Sequence, residues 1–296
     1  MSVDTRDVAG TRVGFVGLGA MGVGMAANVV AAGYPVSVLG HRRREPVERL
    51  VGLGATEAAS AAELAERSDA VILCVTTSEA VEAVVDGLLS GDHGELLVID
   101  CGTSRPESTV ALGERLAAAG CALLDVPLGR SAAAAEAGTL NMMAGGADAD
   151  FARARPLLET MSENLFHLGP LGTGHRVKLL NNACSLGVAT LVAEIAAVAR
   201  AAGVDPALLR DVLLAGPNAS EFLEWMFAGI VDGDERRLDF SLANGAKDIG
   251  YFVDMATAAG VEARLPEAVR DRLADVVAGG HGEAPVPALP RLLDTR

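Results

Sequence analysis

A short apolar run, Arg12 to Val16, leads directly into Gly17-Leu18-Gly19-Ala20-Met21-Gly22, and from Met21 to Ala32 the composition is helical. Strand, glycine turn and helix in that order leave few folds open. In the first βα turn of a parallel sheet the three glycines have separate tasks. Gly17 permits the tight turn, Gly19 lets the backbone approach a pyrophosphate, and Gly22 permits close packing of helix on strand. Leu18, Ala20 and Met21 complete the cradle. The helix N-terminus presents N–H groups and a positive dipole end to the phosphates. The segment reads as a dinucleotide-binding turn.

The rest of the first half supports that context. Pro35 to Leu39, Ala70 to Val75, Leu96 to Asp100 and Ala122 to Val126 are short apolar runs. Continuous apolar runs suit strands buried on both faces. Asn141 to Ala144, closed by Gly145-Gly146, reads as one more strand. Strands alternating with helical segments imply βαβ units and a parallel sheet. After about residue 175 the pattern changes to helices over Gly174–Ala202, Pro206–Leu214, Ser220–Val231 and Leu242–Ala259, with Asp205-Pro206 as a helix start. No strand signal follows. The boundary falls in the glycine-rich loop His167 to Gly174. The expectation is an α/β fold: a dinucleotide-binding domain over 11–170, then an all-helical domain over 171–296. The Pro-rich tail from His281 reads as loosely ended.

With a net charge of −15 the chain lacks the basic face that a nucleic-acid binder needs to displace counterions. An anionic ligand would then require a local cationic cluster to overcome the global field. Cys74, Cys101, Cys121 and Cys184 form no CxxC pair and read as small core residues in a reducing compartment. The opening segment to Arg12 lacks the apolar stretch of a signal peptide. The most apolar stretch, Ala183 to Ala202, carries Glu194 and Arg200 and reads as a buried helix, not a membrane span. These features point to a cytoplasmic protein, with no metal site and neither nucleic acid nor membrane as partner.

The second strand ends in Val38-Leu39-Gly40-His41-Arg42-Arg43-Arg44. A carboxylate there would bind a ribose 2′-hydroxyl; arginines suit a 2′-phosphate. His41, Arg42 and Arg43 therefore favour NADP, with NAD as the alternative. The other reading is an exposed helix start with solvated charges.

Beyond the glycine turn the sequence resembles the β-hydroxyacid dehydrogenase family, which includes 3-hydroxyisobutyrate dehydrogenases. The resemblance rests on Gly17–Asn28, Asp100-Cys-Gly-Thr103, Asp125-Val-Pro127, Gly138-Thr-Leu140 with Gly145-Gly146, Gly169–Lys178, Asn181-Asn182 and Lys247-Asp248, in the family's order over nearly the whole chain. It implies a Rossmann domain joined by a long helix to a helical substrate and oligomerisation domain, in a homodimer or homotetramer. It implies cofactor contacts from Val75, Thr76, Thr103 and Lys247, with Lys178 as acid/base and Asn182 as its orienting partner. The residue chemistry agrees. An ammonium stabilises the oxyanion formed when a carbonyl receives hydride, then donates the proton. Lys178, Asn182 and Ser185 fall on one helical face, with Asn181 at its edge. An ordinary solvated lysine, and a surface Lys247–Asp248 pair, are the plainer alternatives.

The loop Gly129-Arg130-Ser131 departs from the common family pattern, which has a serine and two glycines there. An arginine beside a hydroxyl makes a stronger and larger anion site. The pattern resembles the branch containing 3-sulfolactaldehyde reductases, and in that resemblance Asn181 and Ser185 are further substrate contacts. The alternative is an Arg130 paired with a carboxylate such as Glu136. Four functional readings follow: reduction of a small anionic semialdehyde (3-sulfolactaldehyde or succinic semialdehyde), a 3-hydroxyisobutyrate or glyoxylate-type dehydrogenase, an imine reductase-like enzyme, and a non-catalytic dinucleotide-binding oligomer.

Overall fold

The computed structural model describes residues 10–293; residues 1–9, and with them most of the polar opening segment, and 294–296 lie outside that range. Strands and helices alternate strictly at first: β1 (Val13–Val16), α1 (Gly22–Ala31), β2 (Val36–Leu39), α2 (Glu45–Gly52), β3 (Thr56–Ala58), α3 (Ala61–Glu66), β4 (Ala70–Leu73), α4 (Ser78–Leu88), β5 (Leu97–Asp100), α5 (Pro106–Ala118) and β6 (Ala122–Asp125). The six strands form one parallel sheet in the order β3-β2-β1-β4-β5-β6. Side chains alternate between its two faces with the period of a strand. Val13, Phe15, Ile72, Ile99 and Leu124 enter one core, while Val16, Val71, Leu73, Val98 and Leu123 enter the other. Burial on both faces explains why these strands read as unbroken apolar runs.

The next segment holds β7 (Leu128–Gly129), α6 (Ala132–Ala137), β8 (Leu140–Ala144), α7 (Asp148–Glu159) and β9 (Ser162–His167). The strand expected near Asn141 exists as β8, but it belongs to a second, three-stranded sheet with antiparallel β7 and parallel β9. Neither β3 nor β9 was signalled by the sequence. β3 has only three residues and β9 has none that is buried, so the alternation that marks a half-buried strand is faint.

The remainder is helical: α8 (Thr173–Ala201), α9 (Pro206–Leu214), α10 (Glu221–Asp232), α11 (Leu242–Ala258), α12 (Arg264–Val276) and α13 (Leu289–Leu293). Asp205 caps α9 at its Pro206 start, accepting the Ala207 N–H. The contacts divide the chain into two compact units between Lys178 and Leu179, inside α8. The helical unit has its own core, built on Leu186, Ala193, Phe227, Ile249 and Leu273.

Three expectations need correction. Over its described residues, 281–293, the tail is not loose: Val286, Ala288 and Leu289 are buried, and an isolated bridge pairs Ser241 with Pro285; its last three residues lie outside the described range. Cys184 is exposed, unlike the other three cysteines. The helix read as buried is buried along one side only. Leu186, Ala189 and Ala193 point into the core, while Val188, Leu191, Ile195 and Val198 are exposed. By length and hydropathy alone this helix, Thr173–Ala201, could cross a membrane, but its window is 44% buried within the protein.

Candidate active site

Parallel strands bring their C-terminal ends to one edge, and ligands of such sheets bind where the strand order reverses. Here the reversal lies between β1 and β4. Gly17 follows β1, and Val75 and Thr76 follow β4. The two loops touch: a Cβ on Gly17 would sit 2.2 Å from the Cys74 carbonyl oxygen, and Gly17 has φ +94°. Gly22 is equally constrained, because its Cβ would lie 1.9 Å from the Gly17 carbonyl oxygen. Gly19 differs from both. Nothing lies within 4 Å of a Cβ built there, and the residue is exposed. No side chain caps the N-terminus of α1. The turn is thus packed tightly on its protein side and open on the side where a pyrophosphate would approach, so the residues fit a dinucleotide.

His41, Arg42 and Arg43 are exposed beyond β2. Arg44 is held by Glu57 at 2.6 and 2.8 Å, which raises the guanidinium and lowers the carboxylate from their ordinary values. Among the described residues Arg42 and Arg43 form no hydrogen bond or ion pair.

The end of β5 is organised by Asp100. Its carboxylate accepts the Gly102 N–H and the Ser104 hydroxyl, both at 2.8 Å, and so fixes the loop that carries Thr103. Asp125, at the end of β6, is fully buried and accepts the backbone N–H groups of Gly172 and His175, both at 2.7 Å. Burial raises its pKa, while nearby His175 and these N–H donors oppose the rise. The pair of N–H bonds explains the Asp125 block: it ties β6 to the first turn of α8.

Arg130 has φ +75°, the one non-glycine residue in the left-handed region among those described. Its Nη1 donates to the Thr139 carbonyl at 2.6 Å and to Glu163. The carboxylate alternative was right in kind but wrong in partner: Glu136 is taken by Arg49 at 2.6 and 2.8 Å. Among the described residues no hydrogen bond occupies Nε or Nη2 of Arg130. Ser131 caps α6 by accepting the Ala134 N–H, so its own O–H remains a donor. A Cβ on Gly129 would meet the Asn141 Cβ at 3.2 Å, so a serine there would have to push Asn141 aside by a few tenths of an ångström.

Lys178, Asn181, Asn182 and Ser185 all lie on the unbroken helix α8. Within the helical unit Asn182 donates to Asp248 at 2.6 Å, and Asp248 pairs with the Lys247 ammonium at 2.7 Å. Asp248 is 2% exposed and Asn182 7%. Lys247 also sits 4.9 Å above the Tyr251 ring. The Lys247–Asp248 pair is therefore not a surface pair: it is the anchor of Asn182. Among the described residues no group of three or more His, Cys, Asp or Glu side chains could hold a metal.

Residues 12–169 match the NAD-binding domain family of 6-phosphogluconate dehydrogenase, and residues 172–293 match the NAD-binding family of NADP-dependent 3-hydroxyisobutyrate dehydrogenase. The chain belongs to the β-hydroxyacid dehydrogenase family. It is 41% identical to a Pseudomonas aeruginosa 3-hydroxyisobutyrate dehydrogenase over 69% of each chain. It is 33% identical to an Escherichia coli 3-sulfolactaldehyde reductase over 91% of each. Its fold matches a Mycobacterium tuberculosis 3-hydroxyisobutyrate dehydrogenase solved with L-serine, with TM-score 0.85, 28% identity, and 96% and 99% of the two chains covered. This family member is an NAD(P)-dependent oxidoreductase of CH–OH groups, with an N-terminal Rossmann unit and a helical C-terminal one.

Proposed function

We propose that this dehydrogenase reduces a small anionic semialdehyde to its alcohol, with 3-sulfolactaldehyde first among candidates and succinic semialdehyde next. The loop Gly129-Arg130-Ser131 carries the reading. Glu163 and Thr139 fix one nitrogen of the Arg130 guanidinium and leave an edge of donors for an anion. Ser131 adds an O–H donor, and Asn181 and Ser185 on α8 supply further polar contacts to the substrate. The turn Gly17–Gly22 would hold the pyrophosphate of the dinucleotide, whose nicotinamide would supply the hydride for the carbonyl carbon or accept one from the alcohol. Lys178 gives its proton to the carbonyl oxygen as charge develops there, and recovers one from solvent. Asn182, itself fixed by Asp248, orients that oxygen. Arg42 and Arg43, without acidic partners among the described residues, favour the 2′-phosphate of NADP over NAD. The exposed row Val188, Leu191, Ile195 and Val198, with spacings of three and four residues, is the helix face on which a second copy would pack.

A second reading has its own support. The 41% identity to a 3-hydroxyisobutyrate dehydrogenase favours an ordinary carboxylate substrate. Initial rates of NADPH and NADH oxidation with 3-sulfolactaldehyde, succinic semialdehyde, tartronate semialdehyde and glyoxylate, and of NADP+ reduction with 3-hydroxyisobutyrate, separate the two. A preference for the sulfonate, and a KM that Arg130→Ala raises by about ten-fold or more, support the first reading; that rise corresponds to ~1.4 kcal/mol of lost binding. A preference for 3-hydroxyisobutyrate, or an Arg130→Ala variant with unchanged KM for the sulfonate, sinks it.

A further inference from the structure

His175 is fully buried in the first turn of α8, three residues before Lys178, and no role is yet attached to it. Its Nδ1 lies 2.8 Å from the Thr109 hydroxyl on α5. Among the described residues its Nε2 has no hydrogen-bond partner, and it faces the Asp100 carboxylate at 3.7 Å. Asp125 stands 3.8 Å from Nδ1. The imidazole therefore sits where three site-bearing segments meet: the β5 end that leads to Thr103, the β6 end that leads to Arg130, and the helix that carries Lys178.

Proton placement follows from the neighbours. A bare lone pair on Nε2 would point at the buried Asp100 carboxylate, an arrangement with no compensation in a low-dielectric interior. A proton on Nε2 turns that repulsion into attraction. The Thr109 hydroxyl serves either tautomer at Nδ1, because it can donate to the ring or accept from it while donating to the Arg105 carbonyl at 3.1 Å. Asp100 also acts on the buried Cys74 and Cys101 thiols. Burial raises both first, Cys74 to about 12 with Asp100 adding to the rise, and Cys101 with Cys74 and then Asp100 adding, so they add no competing charge at neutral pH.

We infer that His175 is a positioning residue: it braces the first turn of α8 against Asp100, Thr109 and Asp125, and so sets where Lys178 presents its ammonium. The inference rests on the acid/base reading of Lys178. The brace is needed because Asp125 alone fixes only the backbone of that turn. Without the ring, two buried carboxylates would face one cavity, and the turn would lose its contacts with both β5 and α5.

The sequence offers a direct probe, since Lys178 and Lys247 are its only lysines. Protein labelled with 13C,15N-lysine gives two side-chain signal sets, assigned with Lys178→Ala. In His175→Leu we expect the Lys178 signals and their titration midpoint to move while those of Lys247 stay. We expect kcat for the fastest panel aldehyde to fall about ten-fold or more, equivalent to ~1.4 kcal/mol, with NADPH affinity unchanged. Thr109→Val, which keeps shape and removes the hydroxyl, should move the same signals by less and is the fallback if His175→Leu does not fold. His175→Gln, whose amide can donate toward Asp100, should recover part of kcat. In a Lys178→Ala background His175→Leu should cause little further loss. Unmoved Lys178 signals and unchanged kcat in both His175→Leu and Thr109→Val would overturn the inference, as would an equal loss in the Lys178→Ala background. Lys178→Ala at the wild-type rate would overturn the acid/base reading itself, and the positioning claim with it.

Discussion

Gly19→Ala separates binding from folding at the glycine turn. The substitution adds one methyl group at a residue whose backbone is not left-handed and whose new Cβ meets nothing within 4 Å. The folded chain accommodates it, and the less flexible unfolded chain should make the protein more stable by ~0.4–1 kcal/mol. The same methyl fills the space through which phosphate oxygens reach backbone N–H groups, whose bonds are about 2.9 Å long. Each charge-assisted hydrogen bond lost there removes ~1.5–3 kcal/mol, or roughly ten- to hundred-fold in Kd. Gly22→Ala is the control with the opposite signature. Its Cβ would lie 1.9 Å from the Gly17 carbonyl oxygen, a backbone atom that cannot step aside cheaply. Overpacking of that kind costs about 1–3 kcal/mol of stability. Urea denaturation reads the stability and NADPH fluorescence titration reads Kd. If Gly19→Ala bound NADPH with unchanged Kd, the open side of the turn would not be the phosphate side. If Gly22→Ala kept wild-type stability, the packing argument would be wrong.

Lys178→Arg keeps the charge but puts in place of the ammonium a group too weakly acidic to give up a proton near neutral pH, so kcat should fall ~10²–10⁴-fold in steady-state assays with the melting temperature unchanged. Asp248→Ala removes the acceptor of Asn182 and the partner of Lys247; the loss should be ~2 kcal/mol in urea denaturation, within the range for hydrogen bonds to charged groups. Iodoacetamide at pH 8 should add a single label, at Cys184, because Cys74, Cys101 and Cys121 are held as thiols by burial; intact mass counts the adducts. Asp125 has a raised native pKa, so between its ordinary value of 3.8 and the native one the folded chain binds more protons than the unfolded chain. Its contribution to stability therefore grows as pH falls through that window, and the stability of wild type relative to Asp125→Asn should rise from pH 7 towards pH 4.

Local pattern carried most of the dinucleotide unit. The glycine turn, the doubly buried strands and the Asp205-Pro206 helix start each report on neighbours in sequence. What escaped were pairings across long separations. Arg130 could be read as a cation needing a carboxylate, but Glu136 and Glu163 were equivalent in one dimension. The fold gives the first to Arg49 and the second to Arg130, and Glu163 lies on β9, a strand too exposed to be seen by periodicity. Asp248 was legible only as half of a lysine–aspartate pair; its grip on Asn182 spans 66 positions. His175 carried no signal, because burial between two carboxylates is a property of the folded chain alone.

One compositional signal did point at the site. The chain has 24 cationic residues, and only Lys178 and Lys247 are lysines. Elsewhere the work of a fixed positive charge falls to arginine: Arg12, Arg44, Arg49 and Arg115 each pair with a carboxylate near the surface. Arginine is suited to that because its planar fork binds carboxylates bidentately and does not lose its proton. A proton donor must be able to lose one, and a compact ammonium can. A chain that keeps lysine only at Lys178 and Lys247 and uses arginine at every other cationic position would separate the two chemistries by residue type. The −15 net charge sharpens the point, since each anion-facing group must act against the field of the whole molecule. In the proposed reading Arg130 would meet that demand with a fixed charge held in place by Glu163, and Lys178 with one that can be given away.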